Sequence, residues 1–289
     1  MKITDAQIEQ LDRKGYVVVP DFLDAATLGE AQRTLALEHP TRETYHADPA
    51  KYGRYQESQF AGLTLFPYKD WGLNQLPVYP DLIDAAERFL GSEDLEIYKV
   101  ELWAKYSGGI NYDQPHHRDY GNHTLCVPST DGRHRQLTTF ILLSDVGPGD
   151  GPTKVIPLDQ SQDVPLVPTY QDDGALLDRE LAATGSAGSL LMYRTDVLHR
   201  GSAMIGDRTA RFAMLVDFQQ RGWPWQGKMS WPIYASRPEM NAALSRMTPR
   251  QRDLFNWPAP GSDYWTEQTL RDTAKRYPHM DMSPYRMPA

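Results

Sequence analysis

The middle of the chain has the fewest folding options. Between positions 95 and 219, short runs rich in β-branched and aromatic residues (95–106, 122–127, 136–146, 152–157, 189–194 and 209–219) alternate with clusters of Gly, Pro and Asp. Several short strands with turn chemistry between them point to a β-sandwich or barrel, not to βαβ units. No fixed-period repeat or low-complexity segment is present, which argues against a solenoid or propeller. The run 211–218 shows the face logic: Phe212, Met214, Val216 and Phe218 alternate with Arg211, Ala213, Leu215 and Asp217. One face suits a core, and the other offers an arginine at its mouth.

The flanks read differently. Thr4 caps a first helix, Gln7 completes a capping box, and Ile8 and Leu11 form its apolar stripe. Gly15 ends that helix, the run 16–20 is of strand type, and further helices are expected over 24–38 and 79–90, with a polar, aromatic and aperiodic stretch between. The last 70 residues hold five of the seven tryptophans (Trp223, Trp225, Trp231, Trp257, Trp265) and nine of the 22 prolines. So much proline cannot continue a sheet interior. Thr248-Pro249 and Thr266 look like helix starts. The organisation expected is one barrel domain over 1–220 and a helical extension over 221–289 that packs on the barrel, as a lid or a dimer contact. A monomer or homodimer follows.

Charge and cysteine content narrow the chemistry. The net charge of −8, from 30 Lys and Arg against 38 Asp and Glu, lacks the electrostatic footprint of a nucleic-acid binder. No apolar run reaches the roughly 18 residues a membrane span needs, and residues 1–16 lack an apolar signal core, so a cytoplasmic protein with a small-molecule partner is expected. The lone Cys126 excludes an internal disulfide and a thiolate zinc cluster, and reads as a small buried hydrophobe. Any metal must therefore use imidazole and carboxylate, drawn from eight histidines.

Segment 114–124 reads Gln-Pro-His-His-Arg-Asp-Tyr-Gly-Asn-His-Thr. On an extended strand His117 and Asp119 leave the same face and can meet one ion. His199, after the run 189–194, is the strongest third ligand. Two imidazoles and a carboxylate occupy one face of an octahedral ion and leave three positions open, as in non-heme Fe(II) oxygenases. A 2-oxo acid chelating such an ion needs its distal carboxylate anchored, and a guanidinium does this with two charge-assisted hydrogen bonds. Arg211 is well placed for that. Its rival Arg208, three positions away and beside Asp207, suits a turn or a surface ion pair.

These residues make the chain similar to the phytanoyl-CoA dioxygenase (PhyH-like) family of Fe(II)/2-oxoglutarate oxygenases. The likeness runs from the Tyr-Val-Val-Val-Pro stretch at 16–20 through Gln219. It comprises the Gln114–Asp119 motif, the Gly-Pro-Thr-Lys-Val-Ile-Pro run at 151–157, the Gly-Ser-Leu-Leu-Met-Tyr run at 188–193 leading to His199, and Arg211. The resemblance implies a mainly β fold with flanking helices around a double-stranded β-helix (jelly-roll, cupin-like) core. It also implies Fe(II) held by His117, Asp119 and His199, 2-oxoglutarate held by Arg211 with Gln114 beside it, and O2 as oxidant. Thr153 is a second hydrogen-bond donor to 2-oxoglutarate in this reading, and Ser202 a weaker one.

Two features depart from the commonest family pattern. Leu-Asp-Gln-Ser-Gln at 158–162 replaces the usual Gly-Ser-His, and Arg200 intervenes between His199 and Gly201-Ser202. Asp119 bears on reaction type: related halogenases have a small residue there, so hydroxylation or another oxidation is expected, with release of succinate and CO2 from the cosubstrate. The substrate expected is a small organic molecule such as a secondary metabolite. The competing readings are an acyl-CoA hydroxylase of the same family and a non-oxygenase metal-binding jelly roll.

Among the other histidines, His39, His46, His134 and His279 read as structural. His116 points to the face opposite His117, whereas His123 could reach the substrate. Tyr120, Trp103 and Tyr106 read as core aromatics.

Overall fold

The computed structural model describes residues 3–124, 128, 135–171, 174–222, 231–234 and 237–286. Cys126, His134, Trp223 and Trp225 lie outside these residues.

The N-terminal flank follows the sequence signals closely. Helix α1 (Asp5–Lys14) begins at a reciprocal capping box, in which Gln7 N donates to Thr4 Oγ1 at 3.3 Å and Thr4 N donates to Gln7 Oε1 at 2.8 Å. It ends at Gly15 with φ 77°, and a Cβ there would lie 2.4 Å from Val197 Cγ2. Glycine is thus required twice, for the left-handed turn and for the close approach. Strand β1 (Tyr16–Val19) follows, then α2 (Ala25–Leu35), capped by Asp24. The aperiodic stretch contains α3 (Arg42–Ala47), a short β2 (Leu63–Leu65) and α4 (Trp71–Asn74), and α5 (Pro80–Leu90) closes the flank.

The remaining strands are β3 (Leu95–Tyr106), β4 (His116–His117), β5 (Gln136–Leu142), β6 (Thr153–Ile156), β7 (Tyr170–Gln171), β8 (Leu181–Ala183), β9 (Leu190–Arg194), β10 (Leu198–Gly201) and β11 (Ala210–Gln220). They form two antiparallel sheets. The larger has six strands in the order β1-β9-β5-β11-β3-β2, and the smaller has five in the order β7-β4-β10-β6-β8. This is a jelly-roll arrangement with helices packed on its outside.

The alternation read from β11 decides which side of the large sheet faces the helices. Phe212, Met214, Val216 and Phe218 join the main apolar core, while Arg211 and Leu215 line a cavity between the sheets. The expected strand over 122–127 is not seen in its described part: Tyr120–His123 forms the short helix α6, with Asp119 at its start in helical conformation (φ −64°, ψ −24°). His123 N and Asn122 N both donate back to Asp119 O, at 3.1 Å each, and this turn ends the strand.

The C-terminal elements α7 (Pro238–Arg246), α8 (Pro249–Asp253) and α9 (Glu267–Arg276) start where proline and threonine placed them, with capping boxes at Thr248 and Thr266. They pack beside β3: Ile97 N donates to Leu254 O at 2.7 Å, and Phe255 stacks on Phe66 with ring centroids 5.1 Å apart. Their apolar residues belong to the same cluster as the N-terminal helices.

Candidate active site

The metal-type cluster sits on the small sheet. His117 of β4 and His199 of β10 are direct partners across an antiparallel pair, their rings 4.4 Å apart. Asp119 joins them from the turn into α6, not from a continued strand, so the two-residue spacing works through a bend. One donor atom from each of the three lies within 4.8 Å of the others. Asp119 Oδ1 is 3.3 Å from His199 Nε2 and 3.8 Å from His117 Nε2.

Main-chain carbonyls fix both tautomers. His117 Nδ1 is 3.0 Å from Pro115 O and His199 Nδ1 is 3.1 Å from Val197 O, in each case the carbonyl two residues upstream. A carbonyl only accepts, so Nδ1 carries a proton in both rings and Nε2 is the nitrogen that faces the carboxylate; burial lowers the His117 pKa, whereas at His199 burial is outweighed by Asp119, which raises it. The second oxygen of Asp119 is taken as well, since Tyr193 of β9 donates to Oδ2 at 2.9 Å. Burial works against the Asp119 charge, but His199 outweighs it and holds the carboxyl well below its usual range. Two imidazoles and one carboxylate, all oriented from behind, fit a divalent first-row ion, which would bind the imidazoles in their neutral form.

The large sheet supplies cations to the same cavity, which encloses about 490 Å³. Arg211 lines it, donates to Gly151 O, and pairs with no carboxylate among the described residues. Burial lowers its pKa to about 10. Lys105 is its register partner on β3 and also lines the cavity, donating to Gln59 Oε1 at 3.2 Å and Ser202 O at 3.1 Å. Burial, with the neighbouring charge of Arg211, brings the Lys105 ammonium down to about 8. No reading of the sequence identifies Lys105, because only the β3–β11 register places it opposite Arg211.

Further along β3 a buried ion pair joins Lys99 to Asp217 at 3.1 Å. Lys99 also donates to His123 Nε2 at 2.9 Å, which leaves the proton on Nδ1, 2.8 Å from the Tyr98 hydroxyl. Burial lowers His123 to about 4 and raises Asp217 to about 6. His123 is therefore a neutral wall of the cavity. On the outer face of the small sheet, His116, Arg200 and Lys154 all converge on Glu180, at 3.2, 2.7 and 3.5 Å.

Over residues 11–213 the sequence matches the family model for phytanoyl-CoA dioxygenase (PhyH). The chain belongs to the PhyH family. No curated protein matches it. Among solved structures, EctD from S. alaskensis with 2-oxoglutarate and 5-hydroxyectoine is similar, with a TM-score of 0.58 and 21% identity over 79% of this chain and 82% of that one. The non-heme alpha ketoglutarate dependent carbocyclase SnoK from nogalamycin biosynthesis has a TM-score of 0.57 and 17% identity, over 81% and 90% of the two chains. The epimerase SnoN in complex with Fe3+, alpha ketoglutarate and nogalamycin RO has a TM-score of 0.52 and 19% identity, over 78% and 95%. At these identities the likeness establishes the jelly-roll fold that the PhyH resemblance implies.

The other residues singled out in the sequence divide clearly. Gln114 and Thr153 line the cavity. Gln114 Oε1 accepts from Gly201 N at 2.9 Å, and a Cβ on Gly201 would come within 2.9 Å of that same oxygen, so glycine there makes room for the amide. Ser202 does not line the cavity, because its hydroxyl donates to Pro152 O at 2.6 Å. Arg208 sits in a left-handed turn (φ 49°) and donates to His46 O at 3.0 Å. Of the aromatics, Tyr106 stacks on Tyr45 in the core and Tyr120 is buried with its hydroxyl on Leu166 O, but Trp103 lines the cavity. No described residue beyond Leu215 does so.

Proposed function

We propose that this PhyH-family protein is a non-heme Fe(II)/2-oxoglutarate-dependent dioxygenase that hydroxylates an unactivated C–H bond of a small organic molecule. The observation that carries the reading is one cavity with two matched ends. His117, Asp119 and His199 offer a facial donor set at one, and Arg211 with Lys105 offers two cations without a carboxylate partner among the described residues at the other. A dicarboxylic 2-oxo acid has the complementary shape and charge.

When bound, Fe(II) with 2-oxoglutarate supplies oxidation of a C–H bond by O2, releasing succinate and CO2. The chain's part is to bind and orient. His117, Asp119 and His199 would hold the ion, with Tyr193 keeping Asp119 Oδ2 occupied so that Oδ1 serves as the donor. Arg211 and Lys105 would anchor the distal carboxylate. Gln114, its Oε1 committed to Gly201, has only its Nε2–H groups to offer the cosubstrate, and Thr153 adds a hydroxyl. Phe140, Tyr170 and Leu215 give the cavity apolar wall, which limits water beside the reacting carbon.

Anaerobic addition of Fe(II) and 2-oxoglutarate tests this directly. A weak metal-to-ligand charge-transfer band in the visible is expected, followed by succinate under air. A protein that gives neither band nor succinate is not such an oxygenase.

A further inference from the structure

Beyond the machinery just described, the cavity contains one charge without a counterpart among the described residues. Its charged lining side chains among the described residues are Lys99, Glu101, Lys105, Asp119 and Arg211. Lys99 is neutralised by Asp217 at 3.1 Å, Asp119 faces the two imidazoles, and Lys105 and Arg211 form the cationic end. Glu101 is left over. It is half-buried, and no described cation lies within 4 Å of its carboxylate. Its one hydrogen bond among the described residues comes from the indole Nε1 of Trp103, at 3.0 Å to Oε2.

The surroundings of Glu101 suit one kind of visitor. On β3, residues 99, 101, 103 and 105 share a face, so Glu101 stands about 13 Å along the strand from Lys105, well away from the cationic end. Trp103 meets Phe60 edge-on with centroids 5.5 Å apart, and Leu63 and Leu215 complete an apolar wall. A carboxylate held at the edge of an indole and beside apolar side chains attracts a cation by direct charge pairing, and the neighbouring indole offers its face to an organic cation. It repels an anion. Burial raises the Glu101 carboxyl even against the charge of Lys99, as befits an acid short of a counter-ion.

We infer that Glu101 and Trp103 form a substrate subsite for a positively charged nitrogen, so that the substrate is a small organic amine or other organic cation. This rests on the oxygenase reading above. It selects a substrate class within that reading, against carboxylic acids and neutral hydrocarbons.

The test uses the full chain loaded anaerobically with Fe(II) and 2-oxoglutarate. Matched skeletons are added as probes: tryptamine, indole-3-propionate and 3-ethylindole, then phenethylamine, 3-phenylpropionate and ethylbenzene. Perturbation of the charge-transfer band reports occupancy. The amines are expected to bind at least tenfold tighter than the acids, with that preference lost in Glu101→Gln and largely restored in Glu101→Asp, and melting curves check that each variant folds. Three results would overturn the inference: acids or neutral probes binding as well as amines, an amine preference that survives Glu101→Gln, or no perturbation by either amine. Absence of the band before any probe is added counts instead against the oxygenase reading.

Discussion

The two sheets divide the labour unequally. The small sheet carries His117 and His199 on strands of two and four residues, whereas the large sheet carries Arg211 and Lys105 on strands of eleven and twelve. Continuous main-chain pairing holds the strands of the second set, since β3 and β11 run together from Leu95 to Tyr106. The small sheet depends on side chains. Glu180 ties together its outer face through His116, Arg200 and Lys154, and buried Arg118 donates to Asp196 O, Pro165 O and Val164 O, pinning the loop beside Asp119. Short strands let the backbone bend after His117, which brings Asp119 inward. The lesson is that a metal-type cluster is built where the ladder breaks, and the proposed anion anchor where it runs longest.

If this division holds, lesions on each sheet should have separate signatures. The largest effect is expected for Asp119→Ala: loss of the charge-transfer band and of succinate release together, since two imidazoles remain without the anionic donor. Arg211→Ala should leave iron binding in place and raise the apparent KM for 2-oxoglutarate by about 100-fold, the loss of a charge-assisted pair of hydrogen bonds worth roughly 3 kcal/mol. Arg208→Ala should change the same constant by no more than about twofold, as for other surface substitutions, and equal loss at both positions would break the assignment of the anchor.

Tyr193→Phe sharpens the comparison, because Tyr193 belongs to the large sheet but bonds to Asp119. It should weaken Fe(II) binding by about tenfold, as expected for removal of a partner that orients a ligand, with the KM for 2-oxoglutarate little changed. The smallest effect is a pH dependence. Lys105 is cationic below its pKa of about 8 and neutral above it, so kcat/KM for 2-oxoglutarate should fall as pH rises through 8. Lys105→Met should flatten that limb of the profile.

How much of this was legible depended on how local each signal was. Helix starts at Thr4, Thr248 and Thr266 were readable because capping is settled within four residues. The limits of β3 and the alternation of β11 followed from period-two patterning over long runs. His117, Asp119, His199 and Arg211 stood out by motif, and the chain does bring them to one cavity. The reason offered for His117 and Asp119 was nevertheless incomplete, since an extended strand was assumed where the backbone turns helical. Strands β4, β7 and β8 are too short to show a period, and β10, which bears His199, is not among the strand-like runs of the sequence. Lys105 and Glu101 carry no motif, and the run 188–193 that ends on Tyr193 does not record that its hydroxyl meets Asp119. Their placement depends on which strands become neighbours and in which register, and nothing within a few residues of each records that.

Arg211 and Lys105 are like charges directly opposed on adjacent strands, an arrangement that costs a sheet stability. A dianion seated between them converts that cost into a gain, and a ligand that binds only the folded chain at a hundredfold excess over its Kd adds about 2.7 kcal/mol to the unfolding free energy. On the proposed reading, the resistance of the folded chain to heat and proteolysis should therefore rise with the concentration of the 2-oxo acid.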